Sequence, residues 1–398
     1  MDPMPRHNTA AAIGGVISKL PTVGTTIFTT TSALAQQHHA INLSQGFPDF
    51  DCPPRLIELV TTYMRQGFNQ YAPMQGVAVL RERIAEKITF RYGVSINPDT
   101  EITVTAGATQ GLFTAIATLV AAGDEVIIFE PAYDSYAPSV ELFGGIVKNV
   151  ELTAPDFAID WHHVGELITE KTKLIIVNTP TNPTSRIWTA YDFQELIRLT
   201  HSTEIFILSD EVYEHIVYDG LEHLSVLSYD ALRERSFVIT SFGKLFHTTG
   251  WKIGYAIAPE GLTREFRKIH QFNVFSVNTP IQYALADFLK LKDEYLQLAD
   301  FFQEKRDHLA TALQQTRFRV LPCEGTYFLL AEYSKFSDLN EFDFSRRLIE
   351  KFGLATIPVS AFYKRAINQS LIRFCFAKKK DTLEEAVHRI EQINRYFG

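Results

Sequence analysis

The chain has 398 residues, 46% of them hydrophobic and 21% charged, mixed evenly along its length; this excludes disordered and fibrous classes and leaves room for one large domain plus a smaller one. Its formal charge is −8, from 38 basic and 46 acidic residues, with no basic block of the kind that tracks a phosphate backbone, so nucleic acid is not an expected partner. The densest basic run, KKK at 378–380, reads as a solvated edge ahead of a helix.

Residues 1–20, MDPMPRHNTAAAIGGVISKL, are rich in Gly and Ala and are expected to form a flexible N-terminal segment without the marks of a leader peptide. Cys52, Cys323 and Cys375 are odd in number and lack metal-type spacing, which suits a reducing cytoplasm. Apolar runs such as LIIV at 174–177 fall far short of the roughly 20 residues that cross a bilayer, so no membrane partner is expected. Between about 99 and 260, short β-branched runs alternate with longer amphipathic stretches: EITVTAG, QGLFTAIATLVAAG, DEVIIFEP, then KLIIVNTP, EIFILSDE, SFVITSFG and YAIAPE. That alternation predicts an α/β domain with a mostly parallel sheet, whose ligands collect where strands run into loops at their carboxyl edge. Beyond 260, long helical periodicity and isolated strands in GTYFLLAEY, LATIPVS and LIRFCFA predict a separate α+β unit.

The informative residues cluster at those predicted strand ends. Lys244, after SFVITS, reads alone as a surface lysine, or as a desolvated amine of lowered pKa that forms a Schiff base with a carbonyl. Asp210 ends an apolar run; it is either a helix cap or the partner of a cation such as a pyridinium nitrogen. Tyr213 and Asn182 would reach the phenolic oxygen of such a ring, although Asn-Pro is by default a turn. Ser241 and the amides of Ala108 and Thr109 offer phosphate donors at a helix start, with Lys252 as counter-charge. Tyr133 is a core aromatic or a platform for a flat ring. Ser241 and Lys244 also match Ser-x-x-Lys, but its companion motifs are missing, as are a Walker A loop, Gly-x-Gly-x-x-Gly and His-Glu-x-x-His. Histidine pairs at 38–39 and 162–163 would point apart on a strand, and no metal site is expected.

In their order and spacing, INLSQGFPDF, NQYAPMQG, TAGATQG, EPAYDSY, NTPTNPTS, SDEVYEH, SFGKLFHTTGWKIGY and LIRFCFAKK resemble the class I aminotransferases of the fold-type I pyridoxal-phosphate family, over nearly the whole chain. The resemblance is closest to the branch that holds the kynurenine and bacterial methionine aminotransferases, the latter through KLPTVGTTIFTTTSALAQQHHAINLSQGFPDFD. It implies a large domain over 49–285, a small one over 286–398 and an N-terminal arm, 21–48, contributing to the small domain. It also implies pyridoxal 5′-phosphate as cofactor: Lys244 bonded to its aldehyde, Asp210 at the pyridinium nitrogen, Asn182 and Tyr213 at the phenolic oxygen, and Ala108, Thr109, Ser241 and Lys252 at the phosphate. Tyr71 would reach the phosphate of a second subunit in a homodimer, and Arg373, helped by the backbone at Gly46, would clamp the substrate α-carboxylate. An arginine inside an apolar strand needs a partner in any case, and a structural salt bridge is the alternative. The chain departs from many relatives in having Lys252 in place of arginine and Thr109 in place of an aromatic. The implied reaction moves the amino group of an L-amino acid to a 2-oxo acid by a ping-pong route. Without an obvious second arginine, and with Ile27, Phe28, Tyr71 and Tyr133 as pocket candidates, methionine and aromatic donors are expected over aspartate. The alternatives are kynurenine–oxoglutarate transamination and β-elimination from cysteine S-conjugates.

Overall fold

A computed structural model describes residues 15, 17–365 and 367–397. Most of the segment expected to be flexible, residues 1–20, thus lies outside the described residues. Helix α1 (Ile27–Gln37) leads into a two-residue strand β1 (Ile41–Asn42), then α2 (Pro54–Arg65) and α3 (Ala78–Tyr92). The apolar runs follow as β2 (Ile102–Thr105), β3 (Glu125–Glu130), β4 (Ile146–Glu151), β5 (Thr172–Asn178), β6 (Phe206–Asp210), β7 (Ser236–Ser241) and β8 (Gly254–Ile257). They form one seven-stranded sheet in the order β2-β8-β7-β6-β5-β3-β4. Strands β3 to β7 are mutually parallel, and β8 runs antiparallel to both of its neighbours.

The two-residue period of the strands explains why the runs are apolar throughout. Ile127, Ile175, Ile207 and Val238 enter one core, while Ile128, Ile176, Leu208 and Ile239 enter another. Helices cover both faces, so polar alternation has no place in the central strands. The reversed β8 also has a positional consequence: its amino-terminal end lies at the sheet edge where β2 and β7 end, with Gly254 paired to Thr105 and to Ser241.

The C-terminal third builds a second sheet from β9 (Arg319–Val320) and β10 (Phe328–Glu332), then, after β11 (Leu354–Ala355), from β12 (Ile357–Pro358) and β13 (Leu371–Cys375). Its order is β12-β13-β10-β9, antiparallel throughout, and β1 pairs in parallel with β11. The isolated strands expected beyond 260 are thus present. No described helix is long and apolar enough to cross a membrane.

Two local expectations are corrected. Lys378 is buried, not a solvated edge, because its ammonium donates to the carbonyl of Phe47 at 2.8 Å and of Gln45 at 3.4 Å. The histidine pairs lie on no strand: His38 caps α1, and His162 and His163, in the first turn of the helix Trp161–Leu167, both approach Glu166, at 3.5 and 3.4 Å.

Candidate active site

The carboxyl ends of the parallel strands open onto a cavity of about 270 Å³, closed on its far side by α1 and the second sheet. Of the residues singled out from sequence, Phe28, Gly46, Ala108, Thr109, Tyr133 and Asn182 line it. So do Asp210, Tyr213, Ser241, Lys244, Lys252 and Arg373. Ile27 and Tyr71 do not; Tyr71 is 82% exposed and packs edge-on against Phe275, 5.3 Å away.

One end of the cavity is built for an anion. Helix α4 (Ala108–Leu119) starts at Gly107, whose φ of 78° suits glycine and whose lack of a side chain leaves the first amides of the helix without a cap. A Cβ at Gly107 would lie 3.2 Å from Cε and 3.3 Å from Nζ of Lys252, so the lysine amine sits against this helix start. The reversed β8 brings Lys252 there, and Gly254 permits it: a Cβ at Gly254 would sit 2.5 Å from the Thr240 carbonyl oxygen and 3.1 Å from the Ala108 nitrogen. Uncapped amides, the helix dipole and an ammonium together favour a phosphate.

The middle holds a carboxylate and an amine. Asp210, at the end of β6, is buried and accepts from the Tyr136 hydroxyl at 2.7 Å and the Val212 amide at 3.3 Å. Burial pushes its pKa up to about 6, so the site favours a cation beside it. Asn178, at the end of β5, donates to the Asp210 carbonyl at 2.9 Å and accepts from the Asn182 amide at 2.9 Å, which sets the loop carrying Asn182. Lys244 stands on a single helical turn, Phe242–Leu245, rather than on an open loop; Ser241 caps that turn by accepting from the Gly243 amide at 3.2 Å. Its amine donates to the Tyr327 hydroxyl at 2.8 Å and to the Gly46 carbonyl at 3.3 Å. Burial is the main cause that brings its pKa down to about 8, and the positive Arg373 and Lys252 add to this.

At the far end Arg373, in the centre of β13, is 0% exposed. Its guanidinium donates to Asn182 Oδ1 at 2.6 Å and to the Ser44 carbonyl at 2.9 Å, and its buried Nε has no partner. It lies 3.9 Å from the Phe328 ring centre, 5.0 Å from Phe362 and 5.4 Å from Phe28. Burial pulls its pKa down to about 10, yet it stays charged at neutral pH. Among the described residues no carboxylate forms an ion pair with it, so the salt bridge raised as an alternative is not formed. A cation so placed fits a substrate carboxylate.

The residues present therefore fit pyridoxal phosphate: an anion cradle, a desolvated amine of lowered pKa, and a buried carboxylate short of a counter-charge. Tyr136, Asn178, Tyr327, Phe328 and Phe362 were not singled out from sequence. EPAYDSY and NTPTNPTS contain two of them next to residues that were, while the other three sit in or beside apolar strand runs that read as core.

Comparison with known proteins agrees. The family described as aminotransferase class I and II matches residues 38–390. The methionine aminotransferase of Escherichia coli (strain K12) is 53% identical over 94% of this chain and 98% of its own length. The crystal structure of YbdL from Escherichia coli, which identifies a methionine aminotransferase function, superposes with a TM-score of 0.93 at 53% identity, covering 94% of this chain and 98% of that one. Kynurenine–oxoglutarate transaminase 1 of Homo sapiens is 33% identical over 88% of this chain and 92% of its own. With 353 consecutive positions of the chain, 38 through 390, inside the family's span, this protein belongs to the class I and II aminotransferases, which use pyridoxal 5′-phosphate to pass an amino group between an amino acid and a 2-oxo acid.

Proposed function

We propose that methionine and aromatic L-amino acids are the preferred donors. The observation that carries this is the distribution of charge in the cavity: among its lining residues the cations are Lys244, Lys252 and Arg373. In this reading one serves the aldehyde, one the phosphate and one the α-carboxylate, so none is left for a second carboxylate on the donor. Phe28 and Phe328, which line the cavity beside Arg373 with Phe362 packed behind Phe28, instead offer apolar surface to a thioether or a ring. The 53% identical methionine aminotransferase supports the same reading.

When bound, the cofactor supplies an electron-withdrawing ring that makes the substrate Cα–H acidic. Ala108, Thr109, Ser241 and Lys252 would hold its phosphate, Tyr133 would pack on its ring, and Asn182 and Tyr213 would meet its phenolic oxygen. Asp210 would keep the ring nitrogen protonated by placing a buried negative charge beside it. Arg373, with the Gly46 backbone, fixes the α-carboxylate and so aims Cα at Lys244. The neutral Lys244 amine would take the Cα proton and redeliver it on the other side of the substrate nitrogen, to the former aldehyde carbon of the cofactor, which thereby keeps the amino group. The same residues run the second half-reaction in reverse with a 2-oxo acid, which makes the kinetics ping-pong.

A homodimer completes the site in this reading. Exposed Tyr71, with Phe275 at its side and Phe272 at 88% exposure, would lie at the interface and reach the partner's phosphate. The unpaired Cys52, Cys323 and Cys375 support a cytoplasmic setting. The separate seven-stranded and four-stranded sheets support a division into a large domain over 49–285 and a small one over 286–398. The test of specificity is a donor panel with several 2-oxo acids: kcat/KM for methionine and phenylalanine is expected to exceed that for aspartate by at least about tenfold, since a side-chain carboxylate would be buried without a partner. Faster turnover of aspartate refutes the assignment. Kynurenine belongs in the same panel because its aryl ring suits the phenylalanine wall, and pyruvate released from cysteine conjugates without an acceptor reports β-elimination.

A further inference from the structure

Tyr327, immediately before β10, is fully buried, with the rings of Tyr213, Phe328 and Phe302 at 5.2, 4.9 and 5.7 Å. Its hydroxyl lies 2.6 Å from the Gly46 carbonyl oxygen, and Lys244 Nζ lies 2.8 Å from that hydroxyl. Two oxygens at this distance repel unless a hydrogen lies between them, and a carbonyl has none to offer. The phenolic hydrogen is therefore committed to Gly46, and the phenolic oxygen meets Lys244 with lone pairs alone. A neutral amine has two hydrogens and one lone pair. Its hydrogens find Tyr327 and, at 3.3 Å, Gly46, and its lone pair stays free. A phenol whose hydrogen were not engaged elsewhere would donate it to that lone pair and block the base.

We infer that Tyr327 is a positioning residue for Lys244: locked onto the Gly46 carbonyl, its hydroxyl receives the released amine through an N–H and keeps the amine's lone pair available for the Cα proton. This rests on Lys244 being the base, as read above. The arrangement also ties the base to the substrate end, since Arg373 donates to Ser44 two residues before Gly46. Other groups facing the amine are unchanged by a substitution at 327: Asp210 favours its charged form, Arg373 and Lys252 oppose it, and Tyr213 presents its ring at 5.5 Å.

The experiment uses the holoenzyme in its pyridoxamine-phosphate form, where the Lys244 amine is free, and measures the rate of Lys244 carbamylation by cyanate against pH from peptide masses. Loss of a charge-assisted acceptor in Tyr327→Phe lowers the midpoint of that titration by about one pH unit. With α-deuterated methionine, the same variant shows a larger isotope effect on kcat and a KM within about threefold of wild type, because proton removal becomes more limiting. An unmoved midpoint with an unchanged isotope effect overturns the proposal, whatever happens to kcat. Should Tyr327→Phe fail to hold cofactor, 3-fluorotyrosine at 327 keeps the shape and weakens the acceptor; the midpoint then falls by a smaller amount, and no fall overturns the proposal. Lys244→Ala, run alongside, isolates the underlying reading: wild-type turnover in that variant removes Lys244 as the base and is independent of what Tyr327 does.

Discussion

Asp210 shows how a single buried group links cofactor and fold. Its pKa rises from 3.8 to about 6, chiefly through burial. A folded-state pKa raised above the unfolded one means a contribution to stability that is complete below about pH 3.8 and lost as pH climbs through about 6. Above that pH the cofactor-free protein carries a buried carboxylate whose hydrogen-bond donors, the Tyr136 hydroxyl and the Val212 amide, are neutral. A protonated ring nitrogen would return what was lost. The stabilisation on adding pyridoxal phosphate, read from melts, should therefore be larger at pH 8 than at pH 5, by about 1–3 kcal/mol. Asp210→Asn should remove that increment, so the quantity to measure is the wild-type stabilisation minus the variant's at each pH. Equal differences at pH 5 and pH 8 would contradict the role.

At the scale of elements, the reversed β8 makes a parallel-sheet edge into an anion site. It delivers Lys252 to the start of α4, and the close passage of its first residue leaves no room for a side chain at Gly254. The obstructing atoms are backbone, which cannot swing aside as a rotamer can. Gly254→Ala is expected to cost about 1–3 kcal/mol and to weaken cofactor binding, because β7 and β8 must part at the phosphate end. Gly261→Ala, in the first turn of the helix Glu260–Asn273, where a Cβ would meet nothing within 4 Å, serves as the control and should leave cofactor binding unchanged and stability equal or up to about 1 kcal/mol higher. Thermal melts and cofactor titration of the two variants decide the matter. The same elements mark what the sequence could reveal. Strand ends were legible because β-branched runs stop at chemistry-bearing residues, which singled out Lys244, Asp210 and Asn182, while Arg373 stood out as a charge inside an apolar strand; all four line one cavity. Tyr327 was not legible, since it lies 83 positions from Lys244 inside GTYFLLAEY, where an aromatic ahead of an apolar run reads as core. Lys378 misled for a related reason: its partners, the carbonyls of Gln45 and Phe47, lie over 300 positions away, and local charge density carries no trace of them.

The whole molecule depends on how the second sheet seats against the first. At the end of β3, Glu130 accepts from the Lys364 amide at 3.0 Å, the Ala132 amide donates to the Phe362 carbonyl at 3.0 Å, and Tyr363 donates to the Leu152 carbonyl at 2.6 Å. These bonds cross to the segment that carries Phe362, one of the aromatic walls beside Arg373, so the seam between the sheets also sets the shape of the substrate end. Glu130 is buried with one oxygen lacking a partner, and its pKa is pushed up to about 7, first by burial and further by the nearby Glu151. The sign follows as for Asp210: its contribution is whole below about pH 4.5 and disappears as pH rises through about 7. Glu130→Gln keeps an oxygen for the Lys364 amide and removes the charge. Any fixed cost of burying the amide nitrogen is the same at every pH, so the informative quantity is the change in stability between pH 5 and pH 8. That change should be smaller in the variant than in wild type by about 1–3 kcal/mol, read from denaturant melts of the same oligomeric state at both pH values. Parallel pH dependences in the two proteins would show that Glu130 is ionised in the seam at no cost, and that the seating of the second sheet does not depend on its protonation.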